Sequence, residues 1–163
     1  MNEKVLVAIP LYNKKSFIIN TINSVLKQKY KSYKIWILDN KSQDNSKKII
    51  KKKIGKLLKN KIKYQWFNKH VSLRDNFQRI LEYKRLNKYK YLKILCADDC
   101  LHKDYLYEAV SKLDSTSDEF FGFNSNLIYK NKNKRLHKRN YGFFGFEKIF
   151  SILFYNKIGC PST

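Results

Sequence analysis

Two aspartates stand side by side, Asp98 and Asp99, directly after the apolar run YLKILCA. Acidic residues are scarce in this chain, which has 13 aspartates and glutamates against 35 lysines and arginines. Adjacent carboxylates repel each other, so both need a partner that offsets this cost. A divalent metal ion, which prefers oxygen ligands, is the first partner that such a pair indicates.

Polar residues also follow the other apolar runs in the first half of the chain. They are, in chain order, Pro10, Tyr12 and Asn13 at the first run, Asp39 and Asp44 at the second, and Asn68 and Arg74 at the third. The runs themselves are apolar, so this placement is not random scatter. It predicts a set of chemically active side chains at the ends of successive elements.

The elements that must position these residues alternate between strand and helix. We predict strands over residues 4–12, 33–39, 61–67, 90–97 and 120–130. We predict helices over residues 16–28, 46–59, 72–86, 103–115 and 145–157, with Ser16 and Ser72 as N-caps. The alternation predicts a single α/β domain with a mostly parallel sheet and helices on both faces.

In a sheet of this kind ligands bind beyond the carboxyl ends of the strands. The chain has neither G-x-G-x-x-G nor G-x-x-x-x-G-K-[ST], so no glycine-rich loop is available to hold phosphates. Mg²⁺ or Mn²⁺ would then meet the phosphate charge. One aspartate of the pair would ligate the ion and the other would accept a hydrogen bond from a sugar hydroxyl, while Asp39 could accept one from a base N–H.

Simpler roles exist for several of these side chains. Asp44 alone is typical of a turn or helix cap, Asp104 of the start of a helix, and Tyr12 could pack on the edge of the sheet. Cys96, Cys100 and His102 are close in sequence, but Cys-x3-Cys with one histidine and no fourth ligand is a weak zinc signal. The odd number of cysteines, three, argues against a disulfide framework.

The formal net charge of +22 is the most unusual compositional feature of the 163 residues. It is compatible with binding to nucleic acid, to an anionic membrane or to an anionic substrate. The basic residues are mostly lysines dispersed along the chain, which favours AT-rich codon usage over a specific nucleic-acid site. Attraction to anionic lipid is a by-product that this charge predicts. No apolar run reaches the roughly 18 residues of a transmembrane helix, and we expect a cytoplasmic protein.

Four segments in order carry a resemblance to a known family. They are VAIPLYNKKSFIINTINSVLKQKY, KIWILDNKSQDNS, NKHVSLRDNFQRIL and YLKILCADDCLHKDYLYEAV. The chain resembles the family 2 glycosyltransferases of the GT-A fold, with the Pro-x-Tyr-Asn opening and an Asp-Asp motif after the fourth strand; IGCPST is similar to a later family segment. In the turn that is Asp-Asp-Gly-Ser-x-Asp in the family, Asn40 and Lys41 replace the second aspartate and the glycine, while Asp39 and Ser42 match.

The resemblance implies a role for each matching residue. Pro10, Tyr12, Asn13, Asp39, Ser42, Arg74 and Asp98 would bind the nucleotide-sugar donor, and Asp99 would hold Mn²⁺ or Mg²⁺. Residues 1–130 would form the nucleotide-sugar-binding core, and residues 131–163 the start of the acceptor side. The reaction would be inverting transfer from a UDP- or GDP-type donor to a glycan or lipid-linked acceptor in bacterial lipopolysaccharide or capsule synthesis.

Inverting members use a carboxylate base, and Glu147 is the one acid after Glu119. We therefore expect the base beyond residue 163, and the chain to be truncated. Two alternatives stay open: a basic, non-catalytic module that binds nucleic acid or anionic membrane, and a phosphoacceptor domain. The second fits less well, because its acids should follow the first strand, where this chain has Asn13.

Overall fold

The computed structural model of the chain describes residues 4–55, 60–115, 126–129 and 132–135. The chain divides into two compact units, Met1–Tyr107 and Glu108–Thr163. The predicted division between residues 1–130 and 131–163 stays a prediction. No helix within the described ranges is long and apolar enough to cross a membrane.

The predicted alternation of strands and helices is confirmed through residue 115, where the last of these helices ends within the second unit. The elements are β1 Val5–Leu11, α1 Ile18–Leu26, β2 Tyr33–Asp39, α2 Ser46–Ile54, β3 Ile62–Trp66, α3 Leu73–Leu81, β4 Tyr91–Ile94 and α4 Tyr105–Ser115. Strands β1 to β4 form one sheet in the order β3-β2-β1-β4, and every neighbouring pair is parallel. The expected parallel α/β architecture is therefore present.

The strand order also fixes which helices share a face. Parallel crossovers are right-handed, so α1 and α2, which both lead outward from β1 toward β3, lie on the same face of the sheet. These two helices are in contact with each other. Helix α3 leads back across the sheet to β4 and so covers the opposite face, where it contacts β1.

Strand β1 is the centre of the core. All seven of its residues are buried, as the uninterrupted apolar run predicts for a strand covered on both faces. On the α3 face, Leu6 and Ala8 of β1 pack with Trp36 and Leu38 of β2 and with Ile80 of α3. The carboxyl ends of β1 and β2 are in register, since Leu11 pairs with Asp39. These rigid strands position the loops that carry the predicted site residues.

Element ends differ from the prediction in physically understandable ways. Ser72 caps α3 as predicted, because its Oγ accepts a hydrogen bond from Asp75 N at 3.1 Å. The predicted cap Ser16 was wrong: Phe17 precedes α1 and no side chain caps the helix. Helix α3 ends at Leu81 rather than at residue 86, and a short 3₁₀ helix, Leu86–Lys88, follows.

The second unit contains a two-stranded antiparallel sheet. Strands β5 Asn126–Tyr129 and β6 Lys132–Arg135 pair with each other. The predicted strand over 120–130 overlaps β5. Strand β6 follows in a segment for which we predicted no strand or helix, because its sequence KNKR has no apolar residue to indicate a strand. The predicted helix over residues 145–157 lies outside the described residues.

Candidate functional site

The strand order reverses between β1 and β4, and we call the space at the carboxyl ends of these two strands the crevice. The chain runs outward from β1 to β2 and β3, then returns to add β4 on the other side of β1. In parallel sheets of this kind ligands bind at the carboxyl ends of the strands, where the strand order reverses. Predicted residues Tyr12 and Asn13 follow β1, and Asp98 and Asp99 follow β4, so both pairs lie at this edge.

An ion pair joins the two sides of the crevice. Lys14 Nζ lies 2.7 Å from Asp98 Oδ2, and the two side chains are 42% and 36% exposed. Such an exposed pair contributes little stability, about 0–1 kcal/mol, and it leaves Asp98 open to solvent. The sequence prediction does not include Lys14, although its position directly after Asn13 was the available signal.

The turn that carries the two aspartates is anchored to α1. Thr21 Oγ1 donates a hydrogen bond of 2.8 Å to the carbonyl of Ala97, and Asp99 N donates one of 3.1 Å to the carbonyl of Cys96. Asp98 is exposed and Asp99 is half-buried. The turn therefore has a fixed backbone, while the carboxylate of Asp98 remains accessible at the crevice.

The surroundings of Asp99 disfavour its charged form. Burial, and after it the neighbouring Asp98 carboxylate, raises the pKa of Asp99, although Lys93 and Lys14 act in the opposite direction. A cation coordinated by this carboxylate would oppose the rise, because a nearby positive charge favours the ionised form. The donor set, two carboxylates on adjacent residues, has the hard oxygen chemistry that Mg²⁺ and Mn²⁺ prefer.

The carboxylate of Asp39 is fully buried, with 0% of the residue exposed. Its Oδ1 accepts a hydrogen bond of 2.7 Å from Ser42 N, and its Oδ2 accepts one from the hydroxyl of Tyr64. Burial, followed by the hydrogen bond to Asp39, raises the pKa of Tyr64, so this phenol stays protonated as the donor. A nucleotide base would reach Asp39 only after side chains that cover it move.

Asn13 and Ser42, both predicted donor-binding residues, are bonded to each other across the loops after β1 and β2. Asn13 N donates to Ser42 Oγ at 3.0 Å, and Asn13 Oδ1 accepts from Gln43 N at 2.8 Å. Asn13 takes a left-handed backbone conformation with φ of 50°, which asparagine tolerates better than most residues. Both side chains thus fix the shape of the site.

Asp44 links the same two loops. Its Oδ2 accepts a hydrogen bond of 2.7 Å from Lys15 N, and its Oδ1 accepts from the backbone N and the hydroxyl of Ser46. Burial acts to raise the pKa of Asp44, but the hydrogen bonds from Ser46 and Lys15 outweigh it, and the pKa is lowered. The turn-and-cap interpretation of Asp44 fits these contacts.

Tyr12 is the exposed aromatic ring at the end of β1. It is 44% exposed, and its ring centroid lies 4.4 Å from that of His70 at an angle of 48°. His70 was not predicted, because it reaches Tyr12 from the distant loop between β3 and α3. Pro10 is buried within β1. The ring of Tyr12 is accessible to a planar ligand, whereas Pro10 shapes the strand end from beneath.

Two arginines of α3 have different surroundings. The predicted Arg74 is exposed in the first turn of the helix. Arg79, which was not predicted, donates from Nη1 to Asn40 Oδ1 at 3.0 Å and from Nη2 to the Lys69 carbonyl at 3.1 Å. Arg79 therefore joins α3 to the loops after β2 and β3, a contact that only the folded topology creates.

A family model for glycosyl transferase family 2 matches residues 6–163, nearly the whole chain. The chain belongs to glycosyl transferase family 2. The resemblance carried by the strand-end motifs is therefore confirmed. No curated protein gave a match.

Solved structures with a similar fold include proteins determined with a nucleotide or a nucleotide-sugar bound. The S. aureus TarS 1–349 structure in complex with UDP has a TM-score of 0.59 and 20% identity, over 71% of this chain and 33% of that one. The mannosyltransferase PcManGT from Pyrobaculum calidifontis, in complex with GDP-Man and Mn²⁺, has a TM-score of 0.58 and 17% identity, over 68% of this chain and 32% of that one. At these identities the likeness shows the fold, and this chain spans about a third of each structure.

Of the two departures from the glycosyltransferase turn after β2, Asn40 has a structural explanation and Lys41 has none. Asn40 is buried, and its side-chain amide forms two hydrogen bonds with the backbone of Val71. Its Nδ2 donates to Val71 O at 2.8 Å, and its Oδ1 accepts from Val71 N at 3.0 Å. An aspartate could not donate to that carbonyl. Lys41, which replaces glycine, keeps a left-handed φ of 64°, a conformation that glycine adopts without strain.

The glycosyltransferase metal site would rest on few protein ligands. Within residues 4–55 and 60–115 no group of three or more histidine, cysteine, aspartate or glutamate side chains could hold an ion. Mg²⁺ commonly binds one or two carboxylates together with water and substrate phosphate oxygens. The Asp98–Asp99 pair fits that arrangement. Cys96 is half-buried, whereas Cys100 is exposed and is therefore not a core thiol.

Proposed function

We propose that this chain is the nucleotide-sugar-binding part of a metal-dependent, inverting glycosyltransferase that uses a UDP- or GDP-type donor. The observation that carries the proposal is the Asp98–Asp99 turn at the crevice between β1 and β4, with Asp98 exposed to solvent and paired with Lys14 across the crevice. Membership of glycosyl transferase family 2 supports the reaction class.

Asp98 and Asp99 would hold the divalent ion and the sugar of the donor. The half-buried Asp99 would be the metal ligand, because a cation favours its ionised form against the raised pKa. The exposed Asp98 would accept a hydrogen bond from a donor hydroxyl. The bound ion would supply electrostatic stabilisation of the departing nucleoside diphosphate.

The base of the nucleotide would lie near the ends of β1 and β2. The exposed ring of Tyr12 offers a stacking surface, and Asp39 would accept a hydrogen bond from the base once its cover moves. Pro10, Asn13 and Ser42 would maintain the loop shape, and Arg74 would approach the nucleotide from the start of α3. TarS was solved with UDP and PcManGT with GDP-Man and Mn²⁺, which supports a donor of this kind.

The acceptor in our proposal is a glycan or lipid-linked sugar of bacterial surface polysaccharide synthesis, such as lipopolysaccharide or capsule. The protein would act in the cytoplasm, and its net charge of +22 would favour peripheral contact with the anionic inner face of the membrane. Specific binding to nucleic acid is not part of the proposal.

Calorimetric titration of the chain with UDP and with GDP, each with and without Mn²⁺, tests the proposal. We expect one nucleotide to bind more tightly when Mn²⁺ is present. Asp99→Ala should remove this dependence on the metal, with about a tenfold or greater loss of affinity.

Asp104→Asn is the matched control, because it removes an acid five residues away that pairs with Lys29 at 2.7 Å rather than with the crevice. Its nucleotide affinity should equal that of the original chain. Nucleotide binding that ignores both Mn²⁺ and the Asp99→Ala change would refute the proposed site. Steeply salt-dependent binding to generic nucleic acid, unchanged by Asp99→Ala, would favour a basic binding module instead.

A further inference from the structure

A second cavity lies on the α3 face of the sheet, away from the proposed donor site. Its volume is about 530 Å³, within the usual range for small-molecule sites. The residues that line it include Trp36, Lys63, Arg79, Tyr83, Lys84 and Arg85. None of the predicted donor-binding residues lines it.

Aromatic rings hold two of the cations over the cavity. Lys63 Nζ lies 5.0 Å from the ring centroid of Trp36 and 4.5 Å from that of Tyr83. Arg79 lies 4.1 Å above the ring of Phe67, which also lines the cavity. Cation–π contacts of this kind position a positive charge without neutralising it. The lining is therefore preorganised and positively charged.

No carboxylate neutralises these cations within the described ranges 4–55 and 60–115. None of Lys63, Arg79, Lys84 and Arg85 has an ion pair there. The one acid in the lining, Glu82, accepts a hydrogen bond of 3.0 Å from Gln78 Nε2. Four cations and one carboxylate give the lining a formal charge of +3.

The indole of Trp36 is a buried donor at the cavity. The residue is 3% exposed, and its Nε1 is the buried side-chain donor that has no hydrogen-bond partner among the described residues. A buried N–H without an acceptor is costly, and most such groups in folded proteins have a partner. The ammonium of Lys63, which lies over this ring, has no lone pair to accept with. The indole nitrogen is itself buried, so an acceptor from outside the chain would reach it only after neighbouring side chains move.

We propose that this cavity binds a phosphate group, carried either by a small phosphate ester or by a phospholipid headgroup. Phosphate combines several acceptor oxygens with enough negative charge for a lining of this net charge. Arg79 and Lys63, which lie over aromatic rings, would contact the phosphate, and so would Lys84 and Arg85 at the exposed rim of the cavity. The Trp36 indole would donate to it once the side chains that cover its nitrogen move. The proposal is independent of the donor site, since the two share no lining residue.

The test follows the indole N–H resonances in a ¹⁵N-labelled sample of the 163-residue chain. Inorganic phosphate, titrated against chloride at constant ionic strength, should shift the Trp36 resonance saturably. Trp66 is an internal control, because it is 42% exposed and lies under Lys47 at 5.1 Å but outside the cavity. Equal shifts of both indoles, or no shift of Trp36, would overturn the proposal.

A charge-matched pair of double variants makes the test specific. Lys84→Gln with Arg85→Gln removes two exposed cations at the rim and should weaken phosphate binding by about tenfold, the effect of losing roughly 1.4 kcal/mol. Lys51→Gln with Lys52→Gln removes the same charge from the exposed side of α2 and should leave binding unchanged. Equal weakening in both doubles would mean a general effect of net charge and would overturn the site.

Two further arms distinguish the sources of the phosphate. Glycerol 3-phosphate tests the small ester, and vesicles of phosphatidylcholine with phosphatidylglycerol, against phosphatidylcholine alone, test the headgroup. A shift of the Trp36 resonance with glycerol 3-phosphate supports a soluble ligand. Vesicle binding that is abolished by Lys84→Gln with Arg85→Gln supports a phospholipid headgroup. Asp99→Asn should leave every arm unchanged, and a loss in that variant would contradict a site separate from the donor crevice.

Discussion

The turn after β2 and the turn after β4 both carry aspartates at the carboxyl edge of the sheet, yet their carboxylates have different partners. After β2, Asp39 is fully buried and Asp44 receives hydrogen bonds from both Lys15 and Ser46. After β4, Asp98 faces solvent with one exposed lysine as its partner, and Asp99 is half-buried with a raised pKa. The first turn is closed by the chain itself, and the second is open.

The difference shows that an acid at a strand end can serve either the fold or a ligand. Backbone N–H groups and hydroxyls that already occupy a carboxylate make it a structural acceptor, and its loss then leaves buried donors unpaired. A carboxylate favours an added cation when it repels a neighbouring carboxylate and nearby positive charges offset that repulsion only in part. Changes in the closed turn should therefore affect stability, and changes in the open turn should affect binding.

Asp39→Ala should have the largest effect on stability. It leaves Ser42 N and the Tyr64 hydroxyl without their acceptor, and we expect the free energy of unfolding to fall by about 3 kcal/mol. Urea denaturation measures this change. Asp98→Ala is the control from the open turn and should change stability by less than about 1 kcal/mol. Similar losses in both variants would break the distinction between the two turns.

Asn40→Ala should have the next largest effect. The buried amide bonds with both backbone groups of Val71 and accepts from Arg79, so its removal should cost about 2 kcal/mol in urea denaturation. Asn87→Ala, at an exposed asparagine of the 3₁₀ helix, should change stability by less than about 0.5 kcal/mol. If Asn40→Ala behaves like this control, the closed turn does not depend on its hydrogen bonds.

Asp44→Asn should have a smaller, pH-dependent effect. The pKa of Asp44 is lowered below its ordinary value of 3.8, so its ionised form stabilises the fold above that pH, and this contribution is lost as the pH falls through the lowered pKa. After allowance for solvent screening we expect a loss of about 1 kcal/mol near neutral pH. Urea denaturation at several pH values should show the difference between the two proteins shrinking below about pH 4; a difference that grows on acidification would contradict it.

Lys41→Gly should have the smallest effect and the opposite sign. The φ of 64° at Lys41 strains a residue with a Cβ. Glycine relieves this strain but has more freedom in the unfolded chain, so we expect a net gain of about 0.5 kcal/mol. Lys41→Ala keeps the Cβ and serves as the control, with no gain. A gain of equal size in both variants would mean that lysine chemistry, and not backbone strain, is responsible.

The sequence predicted the framework of the sheet because continuous apolar runs mark buried parallel strands. Strand β2 begins and ends at the predicted residues, and Ser72 caps α3 through a local serine signal that the sequence carries in full. Ser16 fails as a cap because the chain turns into α1 one residue later, at Phe17. Strand β6 was missed because the segment KNKR has neither alternation nor apolar residues.

The candidate site was only partly predictable, because a local sequence pattern marks some of its residues and not others. Acids and aromatics that end strands can be recognised from the sequence, as Asp98, Asp99 and Tyr12 were. Lys14, His70 and Arg79 reach the site edge through contacts between loops far apart in sequence, and no local pattern marks such residues. The burial of Asp39 likewise follows from Tyr64 on the neighbouring strand. The binding of a donor by the predicted residues stays a prediction.

The central claim is that the open turn, and not the closed one, holds a divalent ion together with a nucleoside diphosphate. Electron paramagnetic resonance of free Mn²⁺ tests it directly, by titration of the chain into Mn²⁺ with UDP and, separately, with GDP. We expect the chain to lower the free-Mn²⁺ signal below the level set by one of the nucleotides alone, and Asp99→Asn to restore that level. A signal that neither the chain nor the Asp99→Asn change affects, with either nucleotide, would contradict the account.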